Sequence, residues 1–119
     1  MATPHVAAIP GGTGSVGREL IPKLIDRDFK VATTYLIPDE ATALEEQLDL
    51  DEDRLILRRV DCTDATAVNE FFDEARSAFG EINVMASLVG GWAGGRDVAE
   101  TSDVRLDRML DLNLRTAWN

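Results

Sequence analysis

The sequence predicts an α/β fold in which parallel strands form one sheet and the connecting helices cover it. Short apolar runs alternate with helical patterns along the chain, as they do where crossover helices join parallel strands. A glycine-rich segment, Gly11–Gly17, separates the first apolar run from the first helical pattern. At 119 residues the chain is expected to be one domain, residues 1–119, with a core of its own.

Four segments have the composition of strands. They are His5–Pro10, Lys30–Tyr35, Arg54–Val60 and Asn83–Val89. The last two contain continuous apolar stretches, so we expect both of their faces to be buried. Right-handed crossovers then predict a Rossmann-type, doubly wound parallel sheet with strand order 3-2-1-4.

Apolar periodicity and capping residues predict the helices between these strands. The first helix has an apolar face of Val16, Leu20, Leu24 and Ile25, and Pro22 inside it should kink it at a cost of ~3 kcal/mol. Pro38 is expected to begin the second helix. The third is capped by Thr63 or Asp64 and ended by Gly80, and its apolar stripe is Val68, Phe71, Phe72, Ala75 and Phe79.

Composition excludes several classes of function. The formal net charge of −10 makes nucleic acid and anionic membranes poor partners, and no apolar run approaches the ~20 residues that cross a bilayer. Cys62 is the only cysteine, which suits a reducing, cytoplasmic location. No cluster of His, Cys and carboxylate residues has metal-ligand spacing, so we expect no metal site.

The glycine-rich segment predicts a phosphate site. A glycine turn from a strand into a helix brings free N–H groups and the positive end of the helix to one point, where phosphate binds. Gly11 would make the turn, Gly14 would admit the pyrophosphate, and Gly17 would let the helix pack against the strand. The alternative is a tight turn without a ligand.

Four segments together resemble the short-chain dehydrogenase/reductase family, over essentially the whole chain. "GGTGSVG" is similar to its glycine-rich loop, with Ser15 at the middle position, and "VDCTD" to the segment whose aspartate, here Asp61, lies against adenine. "FGEINVMASLVG" leads into the family's Asn-Asn-Ala-Gly motif, which reads Ser87–Gly90 here, and "RMLDLNLRTAW" resembles the helix carrying the catalytic asparagine, here Asn113.

The resemblance implies an NAD(P)-dependent oxidoreductase that transfers a hydride to or from a carbonyl or alcohol substrate. The cofactor-binding residues implied are Gly11, Gly14, Ser15, Val16, Gly17, Tyr35, Asp61, Cys62, Val89, Gly90 and Gly91. "VGGWAGG" also resembles a loop of dihydropteridine reductases, a branch of the same family. Its Trp92 would cover a flat ligand or fill the core.

Asn113 is the one catalytic residue that the resemblance assigns. We expect it on the buried face of the last helix, which helical spacing gives as Leu106, Met109, Leu110 and Ala117. The family role is to support a water in the proton relay. The alternative is a structural amide that ties the helix to strand four.

The resemblance implies NAD or NADP as the cofactor. An acid at the end of strand two selects NAD and a nearby arginine accommodates NADP, but this position is Tyr35, followed by Leu36. Arg18 could reach a phosphate or be solvated. Because no carboxylate at this position repels a further phosphate, NADP is slightly favoured.

The remaining catalytic groups of the family have no counterpart here. The chemistry needs a serine and a tyrosine with a lysine four residues later. The only tyrosine, Tyr35, is followed at that distance by Asp39. We therefore expect a chain truncated before strand five and inactive alone. The alternative function is a non-catalytic dinucleotide-binding or sensing module.

The last helix also predicts assembly. Leu110, Leu112 and Leu114 are spaced by two, so they cannot all face one core. The surplus of apolar residues and an open edge on strand four predict a homo-oligomer.

Overall fold

Four parallel strands form the sheet, as the sequence predicts. The structure, a computed structural model, describes residues 4–119. The strands are β1 (Val6–Ile9), β2 (Lys30–Tyr35), β3 (Leu55–Arg59) and β4 (Val84–Met85). They pair in the order β3-β2-β1-β4, which confirms the predicted topology.

The helices follow the strands in alternation. They are α1 (Ser15–Asp26), α2 (Pro38–Leu48), α3 (Ala65–Phe79) and α4 (Asp103–Leu110), which runs through a π-helical turn, Asp111–Arg115, into α5 (Thr116–Trp118). A short 3-10 turn, Val98–Glu100, precedes α4. Within residues 4–119, no helix has the length and apolar character that a membrane crossing requires.

Two apolar cores lie on opposite faces of the sheet. Neighbouring residues of a strand point to opposite faces, and in β2 Val31 joins one core while Ala32 joins the other. Ile21 of α1 and Leu44 of α2 belong to the first core, and Phe71 of α3 belongs to the second. This division is the doubly wound arrangement expected from the sequence.

The buried face of α1 differs from the predicted one. Gly17 and Ile21 are its buried residues, whereas Val16 is 64% exposed. The predicted face was wrong at Val16 because Gly17, which has no side chain, faces the preceding loop and packs closely against Gly12. Leu20, Leu24 and Ile25 are partly buried and pack beside Ile21.

Pro22 lies inside α1, and the structure shows how the helix accommodates it. Proline has no N–H, so the carbonyl four residues earlier, that of Arg18, loses its helical partner. The side-chain amide of Gln47 in α2 donates to this carbonyl at 3.4 Å. The contact between the two helices therefore offsets part of the expected cost of the proline.

The ends of α2 and α3 follow their capping residues. Pro38 is the first residue of α2. Asp64, one of the two candidates, caps α3 by accepting from the N–H groups of Thr66 and Ala67, and Gly80 ends it with φ of 90°.

The fourth strand is shorter and more exposed than predicted. Regular strand geometry covers Val84–Met85 alone, although backbone bonds to β1 continue from Asn83 N–H to Leu88 N–H. Val84 and Met85 are both exposed. The prediction of two buried faces was wrong for β4, because Val84 and Met85 point to opposite faces of the sheet and both side chains are exposed.

The inward face of the last helix also differs from the predicted one. Its least exposed residues are Arg105, Met109, Asp111, Leu112 and Thr116, whereas Leu106, Leu110, Asn113 and Ala117 are exposed. Arg105, Met109, Leu112 and Thr116 still follow α-helical spacing, so the prediction failed in the choice of face: apolar residues lie on both sides of this helix, and of the predicted face only Met109 points inward. Of the three closely spaced leucines, Leu112 points inward, while Leu110 and Leu114 point outward.

Candidate functional site

A cleft of about 250 Å³ opens at the carboxyl ends of the strands. The glycine loop, the ends of β2 and β3, and the segment after β4 form its walls, and Leu112 and Thr116 of the last helix close one side. Ligands of open parallel sheets bind in such a crevice. Seven of the residues implied by the resemblance line it: Gly11, Gly14, Tyr35, Asp61, Cys62, Val89 and Gly90.

The other four implied residues lie beside the cleft. Ser15 and Val16 are exposed on the first turn of α1. Gly17 is buried behind the loop, and Gly91 follows Gly90 under the last helix. None of these four is part of the cleft wall.

Gly11 and Gly14 differ in what surrounds them. Gly11 has φ of 76°, and a Cβ there would lie 2.8 Å from the backbone nitrogen of Val89. A Cβ on Gly14 would meet only the carbonyl oxygen of Gly11, at 3.8 Å. The fold thus requires glycine at position 11, whereas at position 14 it leaves open space beside the cleft.

Gly17 and Gly12 serve the packing of the loop. A Cβ on Gly17 would collide with the backbone of Gly12, so the close approach is between helix and loop rather than between helix and strand. A Cβ on Gly12 would collide with the hydroxyl of Thr33 and lie 2.7 Å from Ile21. Sequence reasoning gave no role to Gly12.

Two threonines of β2 hold the glycine loop in place. The Thr33 hydroxyl accepts from Gly12 N–H at 3.1 Å and donates to the Ile9 carbonyl at 2.6 Å. The Thr34 hydroxyl accepts from Gly11 N–H at 2.9 Å. Both side chains are buried, and the sequence analysis missed them because threonine is also an ordinary strand residue.

The amino end of α1 points at the cleft without a side-chain cap. Its N-cap residue is Gly14, which has no side chain to accept from the first-turn N–H groups. By contrast, Asp64 caps α3 and Ser102 caps α4. The first-turn N–H groups of α1 and the positive end of its dipole are therefore available to an anion.

Asp61 follows the end of β3, and its carboxylate is bound by Thr63. Its Oδ1 atom accepts from the Thr63 hydroxyl at 2.7 Å and from Thr63 N–H at 3.0 Å. These bonds, the side-chain one first, lower the pKa of the carboxyl below its usual value of 3.8. The group is consequently an anion at neutral pH.

Replacing Thr63 with valine is expected to raise the pKa of Asp61 toward its usual value, because only the Thr63 N–H bond would remain. A lowered pKa stabilises the folded chain above the unfolded pKa and loses that effect as pH falls through the folded pKa. The stability difference between the wild-type protein and Thr63→Val should therefore shrink as the medium becomes strongly acidic. Carboxyl NMR titration measures the pKa, and Thr42→Val, which removes an exposed hydroxyl elsewhere, should leave it unchanged.

Cys62 is a buried thiol in the wall of the cleft. Its Sγ atom lies 3.7 Å from the Thr34 hydroxyl. Burial raises the pKa of the Cys62 thiol above its usual value, and the neighbouring Asp61 charge adds to the effect. A neutral thiol is a poor nucleophile, so Cys62 contributes apolar surface to the cleft.

Asn113 ties the last helix to the segment after β4. Its Oδ1 atom accepts from Gly91 N–H at 3.1 Å, and its Nδ2 atom donates to the Gly91 carbonyl at 2.9 Å and the Met109 carbonyl at 3.0 Å. The side-chain oxygen and nitrogen of Asn113 thus both form hydrogen bonds within the chain. The structural alternative for Asn113 agrees with these contacts, although the residue is exposed rather than buried.

Trp92 does not fill the core. Its side chain is 86% exposed, on the glycine-rich loop that follows β4. Of the two alternatives for this residue, the core position is therefore wrong. The other alternative, that Trp92 covers a flat ligand, stays a prediction.

Glu40 is a cleft residue that the sequence analysis missed. It lies in the first turn of α2, and its Oε2 atom accepts from the Thr13 hydroxyl at 3.2 Å. Glu40 and Asp61 are the two carboxylates of the cleft wall, which contains no Lys, Arg or His among the residues that the structure describes. Among residues 4–119, no group of three or more His, Cys, Asp or Glu could hold a metal ion.

Comparisons with solved structures agree with this fold. A short-chain dehydrogenase/reductase from Serratia marcescens is 27% identical with a TM-score of 0.85, and the match covers 96% of this chain and 46% of that one. ElxO, solved with NADP bound, is 19% identical with a TM-score of 0.86, and the match covers 97% of this chain and 46% of that one.

Sequence comparison identifies the family. 3beta-hydroxysteroid dehydrogenase 2 of Eggerthella lenta is 23% identical over 112 residues, which are 94% of this chain and 43% of the relative. The chain thus spans less than half the length of the relatives it matches. The family model described as short chain dehydrogenase matches residues 5–119, nearly the whole chain. The resemblance found in the motifs is confirmed: the chain belongs to the short-chain dehydrogenase family.

Proposed function

We propose that this chain is the dinucleotide-binding part of an NAD(P)-dependent oxidoreductase. The observation that carries the proposal is the open space at Gly14, where the uncapped amino end of α1 meets the cleft. A pyrophosphate there would take up the free N–H groups. The bound nicotinamide cofactor would supply or accept the hydride that is exchanged with a carbonyl or alcohol substrate.

The adenosine half of the cofactor would lie toward β3. Asp61 has one carboxylate oxygen occupied by Thr63 and the other, Oδ2, directed to no hydrogen-bond donor among residues 4–119. An adenine amino group is a donor that fits this oxygen. Val60 and Ile37 offer apolar surface in the same cleft.

Val89, Gly90 and Gly91 would border the nicotinamide half. A Cβ on Gly90 would lie 2.8 Å from Asn113 Oδ1, so the glycine permits the close approach of the last helix. Asn113 would then position this segment through Gly91. The proton-relay role that the resemblance implies for Asn113 stays a prediction.

Both NAD and NADP are candidates for the cofactor. The sequence slightly favours NADP because β2 ends without a carboxylate, and ElxO, which shares the fold, binds NADP. The Glu40 carboxylate, however, comes from α2 and enters the same cleft. It bears directly on which dinucleotide is preferred.

The proposal predicts binding without turnover for the 119-residue chain. Calorimetric titration should show saturable binding of NAD or NADP at one site per chain. Mixtures with either reduced cofactor and a panel of carbonyl substrates should show no loss of absorbance of the reduced cofactor, because the chain contains no Tyr-x-x-x-Lys sequence. Turnover would show that other residues carry the chemistry, and a lack of binding would contradict the proposed function.

We also propose that the chain self-associates through its last helix. Leu106, Leu110, Leu114 and Trp118 are exposed and spaced by four residues, which gives one apolar stripe along the outer face of α4 and α5. Exposed apolar stripes of this kind mark protein interfaces. Light scattering over a concentration series should show dimers or larger oligomers.

A charge in this stripe is expected to weaken association. Leu114→Lys would place an ammonium group in the contact, so the oligomer should dissociate at a higher protein concentration than the wild type. Ala78→Lys adds the same charge to the exposed side of α3 and is the matched control. A wild-type chain that stays monomeric throughout the series would contradict the proposal.

Charge and cysteine usage support the proposed partners and location. The net charge of −10 argues against nucleic acid and anionic membranes as partners. Cys62 is a free, buried thiol, which suits a reducing compartment. We therefore propose a cytoplasmic location.

A further inference from the structure

We propose that Glu40 makes the cleft prefer NAD to NADP. This inference rests on the proposed function, because it concerns the same dinucleotide site. It differs from the expectation based on the end of β2, where Tyr35 and Leu36 offer no carboxylate. The discriminating group comes instead from the first turn of α2.

The position of Glu40 is fixed by Thr13. Thr13 belongs to the glycine loop and is only 2% exposed, and its hydroxyl donates to Glu40 Oε2 at 3.2 Å. Glu40 itself is half-buried and lines the same cleft as Gly14 and Tyr35. The Thr13 bond thus directs one oxygen of its carboxylate toward the glycine loop.

The adenosine ribose must pass this carboxylate. The proposed pyrophosphate position is at Gly14, and the proposed adenine position is at Asp61. The ribose that joins them would lie in the same cleft, whose wall includes Tyr35 and Glu40, and the Thr13 bond holds Glu40 at the glycine loop, where the pyrophosphate is proposed. Glu40 Oε1 is not bonded to any group in residues 4–119 and can accept from a ribose hydroxyl.

A 2′-phosphate would meet only negative charge here. The cleft wall contains the carboxylates of Glu40 and Asp61 and no cationic side chain among the described residues. Arg18, the one cation that the sequence offered, is exposed on α1 and is not part of the wall. A hydroxyl can donate to Glu40, whereas a phosphate can only be repelled by it, so NAD is the cofactor that fits.

Calorimetric titration of the 119-residue chain with NAD and with NADP tests the inference. The wild type should bind NAD about tenfold more tightly than NADP, the size expected for one like-charge contact in a partly solvated cleft. Glu40→Gln should reduce this ratio about tenfold, mainly through tighter NADP binding, because it removes the charge and keeps an oxygen that can accept from Thr13.

Asp39→Asn is the matched control. Asp39 is the preceding residue on the same helical turn, but it is exposed and outside the cleft wall. This variant removes the same charge from the protein, so the NAD to NADP ratio should stay at its wild-type value. An equal drop in both variants would mean that the overall charge, and not Glu40, sets the preference.

The possible outcomes separate this inference from the proposed function. If the wild type binds both dinucleotides equally, or if Glu40→Gln keeps the wild-type ratio, the inference is overturned while the dinucleotide site stands. If neither dinucleotide binds, the proposed function fails and the inference fails with it. Circular dichroism spectra of the variants verify that a change in the ratio comes from a folded protein.

Discussion

Replacing Gly14 with valine is expected to abolish dinucleotide binding and to leave the fold intact. Gly14 has φ of −72° and ψ of −178°, an extended conformation that valine adopts readily. A Cβ there meets no protein atom closer than 3.8 Å, so the chain itself has room for it. The two methyl groups would instead occupy the space that the pyrophosphate needs at the amino end of α1.

Calorimetry measures the loss of dinucleotide binding, and urea unfolding measures whether the fold stays intact. Binding of NAD and NADP should fall below detection for Gly14→Val, while the stability to urea should change by no more than about 1 kcal/mol, the usual size of an N-cap substitution. Ala78→Val, on the exposed side of α3, adds methyl groups far from the cleft and should keep wild-type affinity. Undiminished binding by Gly14→Val would place the phosphate elsewhere.

Gly17→Ala is expected to have the opposite effect, a loss of stability. Alanine is the better helix former by about 1 kcal/mol. However, its Cβ would collide with the backbone of Gly12, which cannot move freely because Thr33 and Ile9 bind its N–H. Overpacking against a fixed backbone costs about 1–3 kcal/mol or more. We expect the steric cost to exceed the gain in helix propensity by about 1–2 kcal/mol.

Gly14→Ala is the matched control for this substitution, because it adds the same methyl group three residues earlier, where space is open. Urea unfolding should give a lower midpoint for Gly17→Ala and a midpoint near that of the wild type for Gly14→Ala. A Gly17→Ala variant more stable than the wild type would mean that loop and helix do not meet as the structure describes.

The order of the elements could be predicted because it depends on local signals. The bounds of β2, Lys30–Tyr35, agree with the prediction, and Pro38 and Gly80 mark helix ends through their own backbone preferences. Parallel strands joined by helices then leave few topologies. The glycine spacing likewise identified the loop that borders the cleft.

Contacts between distant segments could not be predicted from such signals. The bond from Gln47 to the Arg18 carbonyl, the two threonine bonds to the loop and the Thr13–Glu40 contact each join residues more than twenty positions apart. Nothing in the local sequence distinguishes Glu40 from Asp39. Only the packing of α2 against the loop directs one of these carboxylates into the cleft.

The inward face of the last helix is a second feature that could not be predicted from the sequence. Apolar residues occur on both faces, so periodicity cannot tell which one meets the sheet. In the structure Leu112 and Thr116 reach the cleft, while Leu114 points outward. The position of β4 at the edge of the sheet was easier to predict than the inward face of this helix, because it follows from the strand order alone.

Amide NMR spectra of the 119-residue chain, recorded during titration with NAD, test whether the cleft binds the dinucleotide. Binding there should give saturable shifts for two groups of amides at once, those of the glycine loop and first turn of α1 (Gly11–Gly17) and those after β3 (Asp61–Thr63). Amides at the opposite end of the strands, such as those of Asp51–Asp53 just before β3, should not move. Shifts confined to other parts of the chain, or no saturable shifts at all, would contradict a dinucleotide site in this cleft.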